Sequence, residues 1–156
     1  LEGTYEAGFV LGPSEPRLER LDLRPVRLVV AVPAVADEQN LTWEDVCHLP
    51  WIGSPEGCPF QLLAAELFAR MRRAPRLGHH ADFESAIVEM IDADLGASLL
   101  REDSAAEARA AGRCAIVPGI AVDTTLAFLV REARPRASAV AAVQQVVRDF
   151  WSHSRP

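Results

Sequence analysis

Phe83, Ala86, Ile87, Met90 and Ile91 recur at steps of three and four residues, the spacing of one apolar helix face. Asp82 stands where an N-cap would, and Glu84 falls in the first turn, where a carboxylate suits the helix dipole. Leu95, Gly96 and Ala97 then lead into Leu99 and Leu100, a short apolar run that reads as a buried strand. A helix that feeds a core strand through a tight turn is half of an α/β unit. In open α/β sheets such turns flank the ligand crevice, so residues 83–100 point to function as well as fold.

The same patterning organises the rest of the chain. Residues 5–11 (YEAGFVL) read as a strand ending at Gly12-Pro13. Leu21, Leu23 and residues 26–32 (VRLVVAV) give a second, β-branched strand stopped by Pro33, and a polar connection covers residues 34–41. Thr42-Trp-Glu-Asp45 has the shape of a capping box, which predicts a short helix over residues 43–49, ended by Pro50. Trp51-Ile52-Gly53 is a short strand, and residues 54–59 (SPEGCP) are a loop of turn formers. Phe60, Leu63, Ala64, Leu67, Phe68 and Met71 keep a helical period behind Pro59, with Arg72, Arg73 and Pro75 as stop signals. Residues 76–81 form a weak strand, residues 102–111 an Ala-rich helix closed by Gly112, and residues 114–117 and 126–130 two more strands. Ser138 caps a terminal helix lined by Val140, Val143, Val147, Phe150 and Trp151. This alternation predicts an α/β protein with a mostly parallel sheet covered on both faces. Two strands in succession at the start, with no helix before the first, suggest missing sheet partners.

Composition narrows the classes. The net charge of −6 argues against this segment gripping nucleic acid, which calls for a basic face. All 16 basic residues are Arg, which coding bias explains. Three cysteines, Cys47, Cys58 and Cys114, are odd in number and lack paired spacing, which favours reduced thiols and a cytoplasmic setting. No apolar run approaches the roughly 20 residues of a membrane span. The start, LEGTYEAGFV, lacks a basic region and a long apolar stretch, so it reads as a cut end and not as a signal peptide.

The order of these signals resembles the C-terminal effector-binding domain of LysR-type transcriptional regulators. GTYEAGFVLG resembles that family's first Gly-terminated strand, and LRPVRLVVAVP its Pro-led hydrophobic strand. LTWEDVCHLPWIGSPEGCPF resembles its passage of helix, strand and ligand loop. IVEMIDADLGASLLRED resembles its Ala-Gly-x-Gly segment, and LAFLVR with RASAVAAVQQVVRDFW its returning strand and last helix. Three positions depart: Asp94 replaces the usual Gly, Arg101 a frequent Pro and Glu6 the usual Asp. The resemblance implies a two-lobed, type 2 periplasmic-binding-protein-like fold with mostly parallel sheets. Residues 1–23 would be a partial first lobe, residues 24–117 a complete second lobe, and residues 118–156 the crossover strand and terminal helix returning to the first. It also implies a homo-oligomer, dimer or tetramer, and DNA binding only through an absent N-terminal winged helix-turn-helix.

In such domains the ligand cleft lies between the lobes, lined by helix N-termini whose N–H groups suit carboxylates. The resemblance places Gly12 from one lobe, and Ser54, Pro55, Gly57, Cys58, Asp82 and Phe83 from the other, at a site for a small organic effector, an anion by this reading. Glu56 and Asp82 would repel an anion unless they turn away. An ordinary loop and an ordinary helix start are the competing readings. Cys58, just before a helix N-terminus, is also a candidate reactive thiol. Cys47-His48 are neighbours on a helix and point apart, and His79-His80 on a strand face opposite sides. The residues offer no catalytic constellation, no metal set and no cofactor motif. Arg70, Arg72, Arg73 and Arg76 serve a helix end and a solvated face. A stand-alone solute-binding protein of a transporter, or an enzyme on a similar fold, are the alternatives; the first needs an export signal and the second a nucleophile and base.

Overall fold

The computed structural model describes residues 6–12, 18–35, 38–131 and 138–153. The chain divides into two compact units, residues 1–25 with 124–156 and residues 26–123. It passes between them twice, within the long strands β2 (Leu18–Val32) and β6 (Ala115–Arg131).

In the first unit, β1 (Ala7–Leu11) pairs antiparallel with β6, Phe9 opposite Phe128. The terminal helix α5 (Ser138–His153) supplies Val147 to a core with Leu23, Phe128 and Val130. The Phe9 ring lies tilted against Phe128 at 5.1 Å and against Trp151 at 5.7 Å, so Trp151 ties the helix to the strand.

The second unit holds α1 (Trp43–His48), β3 (Trp51–Gly53), α2 (Pro59–Arg70), β4 (Leu77–His80), α3 (Glu84–Asp92), β5 (Ser98–Arg101) and α4 (Glu102–Ala110). The capping box forms as its sequence requires. The Thr42 hydroxyl accepts from the Asp45 N–H, and the Asp45 carboxylate accepts the Thr42 N–H at 2.8 Å. These bonds to Thr42 hold the Asp45 carboxyl below the usual carboxylate range. Ile87 and Ile91 of α3 bury against Val29, Leu100, Ala105 and Ile52, the apolar face that their spacing predicts.

Helices α2, α3 and α4 all end the same way. At α3, the Leu95 N–H reaches the Met90 carbonyl and the Asp94 N–H the Ile91 carbonyl, each at 3.0 Å, with Asp94 at φ 59°. This is a Schellman closure, which needs a left-handed residue just past the cap. Gly112 fills that place after α4 at φ 73°, but Arg72 fills it after α2 at φ 54°. Asp94 thus keeps the turn that a glycine would make, because a short polar side chain tolerates this region. Arg72 lacks that excuse. Arg72→Gly should stabilise the chain by about 1 kcal/mol, and Asp94→Gly by less; urea denaturation of the two variants reads the difference.

The structure departs from the sequence pattern in three places. Pairing is mixed instead of mostly parallel: β1 with β6 and β2 with β5 are antiparallel, while β3 with β4 is parallel. The four-stranded sheet runs β1-β6-β2-β5, and each antiparallel neighbour in it is distant in sequence, so local patterning carries no sign of its direction. The strands expected at residues 114–117 and 126–130 are one strand, β6, which continues past Pro118 and Gly119. Helix α3 takes Phe83, not Asp82, as its N-cap, without a side-chain cap bond. Glu84, the first helical residue, accepts from the Arg101 N–H and Nε. Tyr5 and Pro13 at the ends of the first expected strand, residues 36–37 of the polar connection and the Ser138 side chain lie outside the described residues.

Candidate functional site

Three elements of the second unit converge on a small pocket. Strand β3 ends at Gly53 and turns into the Ser54 loop, α2 begins at Pro59, and β4 ends at His80. The position of β3 is fixed from its other edge: the Ile52 N–H donates to the Ala97 carbonyl at 2.8 Å, and the Ala97 N–H to the Pro50 carbonyl at 2.9 Å. The Ser98 hydroxyl adds a buried bond to the Ile52 carbonyl at 2.7 Å. The segment after Gly96 therefore holds the strand that carries Ser54.

The loop closes on itself. The Cys58 N–H donates to the Pro55 carbonyl at 3.0 Å, and Gly57, at φ 77°, donates its N–H to Gln61 Oε1 at 3.1 Å. Pro59 at the first helical position has no N–H to offer. Cys58 is the N-cap of α2 but makes no side-chain cap bond, and its thiol is half-buried and free.

Beside this loop lies a half-open pocket of about 120 Å³. Trp51, Ile52 and Leu99 line it from the sheet, Phe60, Ala64 and Phe68 from α2, and Pro75 and Leu77 from the β4 side. Phe68 packs edge-on to Trp51, ring centroids 4.9 Å apart, which gives the wall its rigidity. The polar groups at the pocket are Ser54, Gln61, His80 and Ser98. A Cβ on Gly53 would lie 3.3 Å from the His80 ring, so the glycine leaves His80 its place.

His80 and Leu77 both line the pocket although they are three positions apart. In a regular strand an odd offset puts two side chains on opposite faces. The register shift in the β3–β4 pair explains it: Trp51 opposes Leu77 but Ile52 opposes His79, so Gly78 is an extra residue. Gly78 also lies against Pro50, where a Cβ would come within 2.7 Å of the proline ring. Alternation alone hides His80 from a sequence reading, and the Gly before the His pair is the one signal of the bulge.

Of the residues expected at the site, Ser54 lines the pocket, and Pro55, Gly57 and Cys58 form the loop beside it. Asp82 and Phe83 are exposed on the turn into α3, Phe83 at 73%. Gly12 belongs to the first unit, where it sits at φ 99°. Its N–H bonds the Thr125 carbonyl at 3.3 Å and its carbonyl accepts from Arg20. His80, Gln61 and the aromatic wall are additions the structure makes.

A larger open groove, about 470 Å³, runs between α3 and α4. Its cations are already engaged. Arg101 donates through its backbone N–H at 2.6 Å and its Nε at 2.9 Å to the Glu84 carboxylate, and Arg113 bonds Glu89 at 2.7 Å and Asp92 at 2.9 Å. A proline at position 101 could make neither bond to Glu84, so the departure at this position builds the clamp. Hydrogen bonding to these carboxylates raises the Arg101 and Arg113 guanidinium pKa values. The groove is a set of satisfied surface ion pairs, and the smaller pocket is the better candidate site.

The remaining candidates resolve into structure. Burial pushes the Cys47 thiol up, away from the thiolate, and His48 faces Glu44 at 4.0 Å. Cys114 is buried and also raised by burial, with its thiol on the Ala105 carbonyl at 3.6 Å. Arg70 bonds the Ala121 carbonyl at 3.0 Å, Arg73 the Glu44 carboxylate at 2.9 Å and Arg76 the His48 carbonyl at 3.0 Å, so this cluster ties elements together. Among the described residues, no group of three His, Cys, Asp or Glu side chains could hold a metal ion. No helix among them is long and apolar enough to cross a membrane.

The described residues form two α/β units joined through two long strands, with a polar loop and a helix start at the end of a sheet. Sequence and structure comparisons agree on the class, a type 2 periplasmic-binding-protein-like fold. The chain belongs to the LysR substrate binding domain family, whose match covers residues 1–152. Its fold is shared by the regulatory domain of CcmR from Synechocystis PCC6803 in complex with 2-PG, at a TM-score of 0.77 and 14% identity, over 96% of this chain and 74% of that one. The effector binding domain of QuiR in complex with shikimate gives 0.76 and 17% identity, over 97% and 74% of the two chains. The apo regulatory domain of HypT from Salmonella typhimurium gives 0.77 and 12% identity, over 97% and 75%. No curated protein sequence matches the chain significantly. The family and the fold are those of effector-binding domains of transcriptional regulators.

Proposed function

We propose that this chain is the sensing module of a LysR-type regulator and that a small organic effector binds at the Ser54 loop. The observation that carries the reading is the convergence of Ser54, the start of α2 and His80 on one pocket, in a fold whose relatives include domains in complex with 2-PG and with shikimate. Ser54, Pro55, Gly57 and Cys58 form the binding loop, with Asp82 and Phe83 on the neighbouring turn. Residues 24–117 act as the complete lobe and residues 1–23 with 118–156 as the partial one. The role is regulatory and not catalytic: the effector favours one arrangement of the domain through its differential contacts. In the parent protein that shift acts on DNA through an N-terminal winged helix-turn-helix, in a cytoplasmic dimer or tetramer.

An anionic effector follows from helix N-termini with unused N–H groups. At α2 that support is thin, because Pro59 lacks the donor and Gly57 gives its own to Gln61. Isothermal titration of the chain with a panel of small organic acids, alcohols and ring compounds, shikimate among them, tests the reading. Ser54→Ala should weaken the strongest binder by about 1 kcal/mol, or roughly fivefold. Unchanged affinity removes Ser54 from the site.

A further inference from the structure

We infer that the pocket beside α2 takes an uncharged, ring-sized part of the effector and disfavours a carboxylate. This rests on the reading of the Ser54 loop as the effector site and specifies what enters it.

Size is the first argument. The pocket measures about 120 Å³. An apolar cavity of roughly 150 Å³ holds one benzene ring, so this smaller, half-open pocket takes one ring at most, with part of it left at the opening. Its lining is mostly apolar, with Trp51, Phe60, Ala64, Phe68 and Leu77 among its residues, surfaces that gain from covering an apolar group.

Charge is the second. Among the described residues that line the pocket, His80 is the only titratable one, and none is an arginine. The carboxylates of Glu56 and Asp82 stand exposed on the two flanking loops. At the start of α2 the N–H groups of Gly57, Cys58, Gln61 and Leu62 are engaged and Pro59 has none, which leaves the Phe60 N–H in place of a row of donors. A carboxylate entering here would lose its water without meeting an arginine among the described lining residues, which is costly. A hydroxyl or amide would not, because Ser54 and Gln61 each both donate and accept.

Benzyl alcohol and benzoate separate the two chemistries, as probes of one ring that differ in charge. Each is titrated into the full chain while the backbone amide spectrum is recorded. Benzyl alcohol should shift the amides of Trp51, Phe60, Ala64 and Leu77 saturably, and benzoate should bind at least about tenfold more weakly. Ala65→Phe places a ring in the pocket from an exposed helix position and should abolish the benzyl alcohol shifts while the rest of the spectrum persists. Leu77→Ala, at an exposed rim position, should weaken them about threefold. Benzoate binding equal to or tighter than benzyl alcohol, with shifts at the Ser54 loop, overturns the uncharged-ring inference and keeps the effector site. Probe shifts that fall only outside the second unit's pocket and loop overturn both.

Discussion

Gly96→Ala should cost about 4 kcal/mol of folding stability. Gly96 sits at φ 150°, and a Cβ there would overlap the Pro50 carbonyl oxygen and lie 2.9 Å from its carbon. Both are backbone atoms, and that oxygen accepts the Ala97 N–H, so neither side can yield without breaking the contact that seats β3. Gly112 supplies the control. It is also left-handed, at φ 73°, but a Cβ there meets nothing within 4 Å, so Gly112→Ala should cost only about 1 kcal/mol. Urea denaturation of the two variants separates close approach from backbone conformation. Equal losses would remove the Pro50 contact from the account. Because Gly96 seats the strand that leads to Ser54, any Gly96→Ala protein that does fold should also bind effector less tightly.

Leu100→Ala should cost about 3 kcal/mol. Leu100 is fully buried in β5, opposite Val29 of β2, and packs in the cluster with Ile87 and Ile91. Removing its side chain leaves a cavity between the helix face and the sheet, which neighbours held by strand pairing cannot close. Phe83 sits just before the same helix yet is 73% exposed, so Phe83→Ala should change stability by less than about 0.5 kcal/mol. Thermal denaturation distinguishes the two. The comparison also sorts scaffold from site: a Phe83→Ala protein that keeps its stability but loses effector affinity would place Phe83 in the binding turn.

Much of the fold was legible because its elements are locally encoded. The capping box at Thr42, Pro59 at the start of α2 and the apolar face of α3 each act over a few residues, and each appears as patterned. Strand direction and the continuity of β6 through Pro118 are settled by pairing between distant segments, which periodicity does not record. The site divides the same way. Ser54 and its loop follow from turn chemistry, whereas His80 reaches the pocket only because Gly78 bulges the strand and reverses the alternation beyond it. Asp94 shows a substitution of type without a change of geometry, since it holds the left-handed turn a glycine would. Arg101 shows the reverse: a residue with a backbone donor and a guanidinium gains a clamp to Glu84.

The central claim is that effector binding is read at the Ser54 loop. The most direct measurement is the amide spectrum of the chain during titration with the tightest binder from the small-molecule panel. The account predicts saturable shifts concentrated at Ser54, Gly57, Phe60 and His80, their common midpoint moved to roughly fivefold higher ligand concentration in Ser54→Ala. Shifts confined to the groove between α3 and α4 or to α5, with the Ser54 loop unmoved, would contradict it.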